Sequence, residues 1–132
     1  MVIDTSALIA ILDGEPERRS FIEAIESADS RHISVATFVE SSIVIEARHG
    51  AEGLRDLDRF INRGGIELVV LDVEQGHLAR GAFSRFGKGR NRAALNYGDC
   101  FSYALAMFLG ESLLCKGDDF IHTDVRLEIP NR

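Results

Sequence analysis

Four short stretches of the chain end in carboxylates: Met1-Val2-Ile3-Asp4, Ala36-Thr37-Phe38-Val39-Glu40, Asn96-Tyr97-Gly98-Asp99 and Lys116-Gly117-Asp118-Asp119. Each acid stands where the end of a strand or the start of a helix would present it. Like charges brought together repel, and burying them unpaired costs several kcal/mol. A fold that gathers three or four carboxylates therefore needs a compensating charge, and a divalent cation is the commonest one. Mg²⁺ prefers oxygen ligands, keeps several of its waters, and needs only one or two carboxylates beside a substrate phosphate. A cation held this way makes a water nucleophilic at neutral pH and stabilises charge in the transition state of phosphoester cleavage. The acids thus point to a metal-dependent phosphodiesterase.

Each position has a plainer reading to set beside that one. Asp4 interrupts an apolar stretch and could cap the helix that follows, but Thr5 and Ser6 already offer capping hydroxyls. Glu40 shares a helical stripe with Ala36, Ile43 and Ala47, where a carboxylate is unexpected unless it is paired or binds metal. Asp99 opens a helix, a place that favours anions for electrostatic reasons alone, with Ser102, Tyr103 and Ala106 on its own face. Asp118 and Asp119 are adjacent in a loop and should point different ways, so at most one of the two is expected to be a ligand. Asp124 reads as a turn residue or a supporting acid. His32, His49, His77 and His122 lack metal-ligand spacing, so zinc is not expected. Gly87-Lys88-Gly89-Arg90 lacks the full phosphate-loop pattern. Ser6 and Thr37 are expected to hydrogen-bond the carboxylates from behind.

The elements that must carry these residues alternate along the chain. Residues 1–3 read as a buried strand, followed by a helix over 7–12 and an amphipathic helix over 16–28. Residues 32–35 form the next strand. Two helices follow, 36–48 and 51–62, separated at Gly50 and closed by Gly64-Gly65. A strand over 66–71 leads to a helix over 73–86, then to a loop over 87–94. A strongly apolar helix over 99–109 precedes a strand at 112–115 and a possible fifth at 125–129. Such alternation predicts a three-layer α/β/α sandwich around a mostly parallel sheet of about five strands. Ligand sites in such sheets lie beyond the carboxyl ends of the strands, near a reversal of strand order. Asp4, Glu40, Asp99 and Asp118/Asp119 can all reach that end.

At 132 residues, 45% hydrophobic and 27% charged, the sequence predicts one folded domain over 1–132, not a disordered chain. No apolar run approaches the roughly 18–20 residues of a membrane span, and Met-Val-Ile-Asp lacks the basic flank of a signal peptide, so a cytoplasmic protein is expected. Cys100 and Cys115 read as reduced, buried residues. The net charge of −6 argues against indiscriminate nucleic-acid binding. Between Gln75 and Gly98, however, there are five basic residues and no acid, leaving −11 on the remainder. Arg80, Arg85, Lys88, Arg90 and Arg92 read either as a solvated helix face or, given the glycines and the lack of acids, as a flexible arm that holds a phosphate backbone locally.

Together, Val2-Ile3-Asp4-Thr5-Ser6-Ala7-Leu8, Glu40, Asn96-Tyr97-Gly98-Asp99-Cys100-Phe101-Ser102-Tyr103-Ala104-Leu105-Ala106, and Leu113-Leu114-Cys115-Lys116-Gly117-Asp118-Asp119-Phe120 with Thr123-Asp124-Val125 resemble a PIN-domain protein. More narrowly they resemble the VapC toxins of bacterial toxin–antitoxin modules, and the resemblance spans essentially the whole chain. It implies ribonuclease activity with Mg²⁺ or Mn²⁺ held by the acids, homodimers, and neutralisation by a VapB-like antitoxin. Asp4, Glu40 and Asp99 match the three invariant acids. The fourth acid of many relatives falls at Gly117, which leaves Asp118 or Asp119 to serve, or the position vacant. The resemblance thus implies Asp4, Glu40, Asp99 and Asp119 as catalytic, with Asp4, Asp99, Glu40 and Asp118 around the metal. A haloacid-dehalogenase enzyme would need a second Asp where Ser6 stands, and a response-regulator receiver a phospho-acceptor after the third strand with a supporting Lys/Thr pattern. The remaining alternative is a catalytically inactive PIN-like module that binds RNA or protein.

Overall fold

The computed structural model describes residues 1–89 and 92–128. The elements run β1 (Val2–Ile3), α1 (Thr5–Leu12), α2 (Arg18–Ser27), β2 (His32–Ser34), α3 (Val35–Arg63), β3 (Glu67–Val69), α4 (Val73–Phe86), α5 (Tyr97–Leu109) and β4 (Leu113–Leu114). The four strands are parallel in the order β3-β2-β1-β4. The expected fifth strand shrinks to one parallel bridge, Leu127 beside Leu113, at the outer edge of β4. Ile129, the last residue expected in it, lies outside the described residues.

Alternation along the strands sorts the core into two layers. Val2 and Leu113 face a cluster with Ala79, Ala82, Phe86, Tyr103 and Leu105 from α4 and α5. Ile3 and Leu114 face the opposite cluster, with Leu8, Ile11, Phe21, Ile25, Leu57 and Ile61 from α1, α2 and α3. Helices therefore cover both faces, giving the α/β/α sandwich. No helix of the described residues is long and apolar enough to cross a membrane.

The two helices expected around Gly50 are both present within the span of α3, broken where Gly50 takes φ 66° and ψ −157°, outside the helical region. That backbone conformation is reserved almost wholly for glycine. Pro16 lies ahead of α2 rather than inside it. Strand order reverses around β1, which has β2 on one side and β4 on the other. The carboxyl ends of β1 and β4 thus mark the place where a ligand site is expected.

Candidate active site

Asp4 continues directly from β1, its backbone N–H donating to the Leu114 carbonyl at 3.0 Å. Its side chain caps α1, with Oδ2 accepting from the Ser6 N–H at 3.0 Å and the Ser6 hydroxyl at 2.7 Å. The capping role expected of Thr5 and Ser6 therefore belongs to Asp4. Its Oδ1 accepts from the Ser102 hydroxyl at 2.6 Å. Ser6 Oγ accepts in turn from the Lys116 N–H at 2.9 Å, tying the end of β4 to the same carboxylate. Asp4 is buried, and its hydrogen bonds on both oxygens satisfy it without a basic side chain.

Asp99 is buried in the first turn of α5, two residues deeper into the helix than expected. Asn96 is the cap, its Oδ1 accepting from the Asp99 N–H at 2.8 Å, while Asp99 Oδ2 accepts from the Asn96 N–H at 3.0 Å. This reciprocal box fixes the start of the helix at Tyr97. Burial raises the Asp99 pKa to about 7; the Asn96 N–H opposes the rise, and the charges of Asp4 and Asp119 and a hydrogen bond with Asp119 add to it. Asp4, Asp99 and Asp119 therefore share one electrostatic environment. The Cys115 thiol feels it too, pushed up to about 12 by burial and then by those same three acids.

Glu40 is half-buried one and a half turns into α3, but its helical stripe is not the core stripe expected. Ile43 is 64% exposed, and the inward face is made by Thr37, Ser41 and Ile45. Glu40 instead turns to the junction of α1 and α5. Its Oε1 accepts from the Thr5 hydroxyl at 2.5 Å, and Thr5 Oγ1 accepts from Ser41 Oγ at 3.3 Å. Its Oε2 lies over Gly98, where a Cβ would stand only 1.9 Å away. The glycine before Asp99 is thus the space that Glu40 occupies. Thr37, expected to bond a carboxylate, meets the Ser102 hydroxyl at 3.2 Å and touches Asp4 only through it.

Asp118 and Asp119 are both exposed, and of the two Asp119 is the one that acts on Asp99. Asp124 accepts from the Tyr103 hydroxyl at 2.5 Å and pairs with Arg85 at 3.3 Å. Arg80, Arg85, Lys88 and Arg92 are exposed. Arg85 is already engaged by Asp124 and by the Phe86 ring, 4.6 Å from its guanidinium carbon. Arg90 lies outside the described residues. Thr5, Gly98 and Ser102 are the residues that sequence reasoning did not assign to the site. The signal for Ser102 was its place one turn after Asp99 on the same helix face.

As the side chains stand, no three His, Cys, Asp or Glu among the described residues close around a common point for a metal ion. Asp4, Glu40 and Asp99 each turn an oxygen to a local donor instead. The donor set nonetheless fits a hard cation, since it is carboxylate oxygen throughout and the charges of Asp4 and Asp119 raise the proton affinity of Asp99. Lys116, the nearest following cation in the chain, commits its ammonium to Glu15 and Glu17 at 3.1 and 3.0 Å.

The PIN domain model matches residues 1–126. The chain is 50% identical over 125 residues to VapC ribonuclease Mb0640 of Mycobacterium bovis, covering 95% of each. It is 51% identical over 125 residues to a Ribonuclease VapC of Mycolicibacterium smegmatis, covering 95% of this chain and 97% of the relative. Among solved structures, Mycobacterium tuberculosis VapC20, described as a Sarcin-Ricin loop cleaving toxin, matches with a TM-score of 0.79 at 14% identity over 98% of both chains. VapBC2 of Rickettsia felis, bound to a DNA fragment from its promoter, matches with a TM-score of 0.73 at 14% identity over 96% of both. At those identities the structural likeness is one of fold.

Proposed function

This chain belongs to the PIN-domain family, and on that premise we propose that it is an endoribonuclease toxin hydrolysing RNA phosphodiester bonds with Mg²⁺ or Mn²⁺. The observation that carries the reading is the pair of buried acids, Asp4 and Asp99, meeting at the reversal of strand order with Asp99 pushed up to about 7. When bound there, a divalent cation lowers the pKa of a water and draws charge from the phosphate. Asp4 and Asp99 would hold it, with Asp118 or Asp119 at the rim. Glu40, pinned by Thr5 over Gly98, would orient the attacking water and take its proton. Ser6 holds Asp4 in place. Arg80, Lys88 and Arg92 would carry the RNA backbone.

In this reading the protein is a cytoplasmic single domain that forms a homodimer and is silenced by a VapB-like antitoxin. Support for a protein-binding face comes from apolar side chains left on the surface, among them Val70, Val73 and Tyr97 at 71%, 77% and 79% exposure. The test is cleavage of a mixed cellular RNA pool by antitoxin-free protein with Mg²⁺, Mn²⁺ or EDTA, beside Asp4→Asn. Discrete fragments that need metal and vanish in the variant are expected. Failure of the folded protein to cleave under any of these conditions would favour the inactive binding module.

A further inference from the structure

We propose that Ser102 is a positioning residue for Asp4, itself oriented by Thr37, and that this buried hydroxyl pair sets how tightly the acid end holds a divalent cation. The inference rests on the metal-dependent reading above. Ser102 is fully buried and Thr37 is 1% exposed, so no solvent competes for either hydroxyl. A serine inside a helix ordinarily returns its hydroxyl to the carbonyl one turn back. Here Ser102 Oγ instead reaches a carboxylate 98 residues away, at 2.6 Å.

The direction of each bond follows from counting protons. An ionised carboxylate cannot donate, so the single Ser102 proton goes to Asp4 Oδ1. Ser102 Oγ then has only lone pairs left for Thr37, which must donate across the 3.2 Å between them. The chain of donors runs Thr37 to Ser102 to Asp4. On the other side of the carboxylate, the Ser6 hydroxyl and N–H fix Oδ2. Asp4 is thus held at both oxygens by neutral donors. Such donors orient the anion without cancelling its charge, which stays available to a cation. A lysine or arginine in the place of Ser102 would compete for that charge. Asp99, by contrast, has the single backbone donor of Asn96.

A hydroxyl that only satisfies the core would change folding stability and nothing else, so the measurement is metal affinity. Mn²⁺ binding to the purified RNA-free chain is read by electron paramagnetic resonance titration, with melting temperature alongside. Ser102→Ala should weaken Mn²⁺ binding about tenfold or more, the range found when a partner behind a metal ligand is removed. Thr37→Val should act in the same direction by a smaller factor. Because Thr37 works through Ser102, the double variant should bind no more weakly than Ser102→Ala alone. Asp4→Asn separates the two levels of inference. If it loses Mn²⁺ while Ser102→Ala and Thr37→Val bind like the unaltered chain, the positioning role is overturned and the metal reading stands. If Asp4→Asn itself binds Mn²⁺ unchanged, the metal reading falls and this inference with it. Additive losses in the double variant would overturn the relay from Thr37. Should Ser102→Ala fail to fold, Thr37→Val alone decides.

Discussion

Asp99 carries the largest electrostatic tension in the site. Its raised pKa means that the folded state takes up a proton that the unfolded chain, with a carboxyl near 3.9, releases. Linkage then fixes the sign: folding is favoured below about pH 4 and loses that contribution as pH climbs toward about 7. The metal-free protein should therefore melt at a lower temperature at pH 8 than at pH 5, and Asp99→Asn should flatten the difference and melt higher at pH 8. Scanning calorimetry in EDTA reads this directly, and an equal fall in the variant would move the effect to other groups. Asp4 and Asp99 stood out in the sequence as acids beside apolar residues, and the fold buries both, whereas Glu40 was picked from a stripe whose Ile43 proves exposed. Thr5 and Ser102 did not stand out, because a hydroxyl in a helix is unremarkable until the fold brings a carboxylate against it. Gly98 was hidden for a different reason: its importance lies in an absent Cβ that only Glu40 reveals.

The elements differ in how far local chemistry decides them. The helix over 73–86 matches its expected limits because Asp72 Oδ1 accepts from the Gln75 N–H at 2.8 Å and fixes the first turn. The strands came out shorter than expected, since the length of a ladder is set by neighbours far away in the chain. The break at Gly50 was legible, because a glycine between two helical stretches is where the backbone can leave the helical region. Two glycine substitutions should accordingly have opposite signs. Gly50→Ala should destabilise the protein by about 1–3 kcal/mol, because no atom crowds the site yet its backbone conformation disfavours a side chain. Gly76→Ala, inside α4 with open space around it, should stabilise by up to about 1 kcal/mol. Urea denaturation of both distinguishes backbone conformation from simple loss of a flexible residue. Effects of the same sign would mean that Gly50 is not a conformational requirement.

At the scale of the molecule, charge is divided between an acidic body and a basic stretch leading into α5. Within that stretch the side chains are not equivalent, a distinction the sequence could not supply. With Asp4→Asn as background to prevent cleavage, Arg80→Ala and Arg92→Ala should each weaken RNA binding and lower the salt slope by about 0.7 for every phosphate no longer neutralised. Arg85→Ala should affect RNA less and lower the melting temperature instead, because it is bound to Asp124 and stacked on Phe86. Fluorescence anisotropy across a KCl series separates the three, and equal slopes in all of them would remove the basic stretch from the RNA path. The parallel pairing of β1 with β4, Ile3 beside Leu114, has a consequence in time. A ribosome adding about 5–20 residues per second needs roughly 5–20 s between making these two partners. For that interval the nascent chain has Asp4 but neither β4 beside it nor Asp119 beyond it, so the acidic end of the sheet comes into being only after β4 has been made.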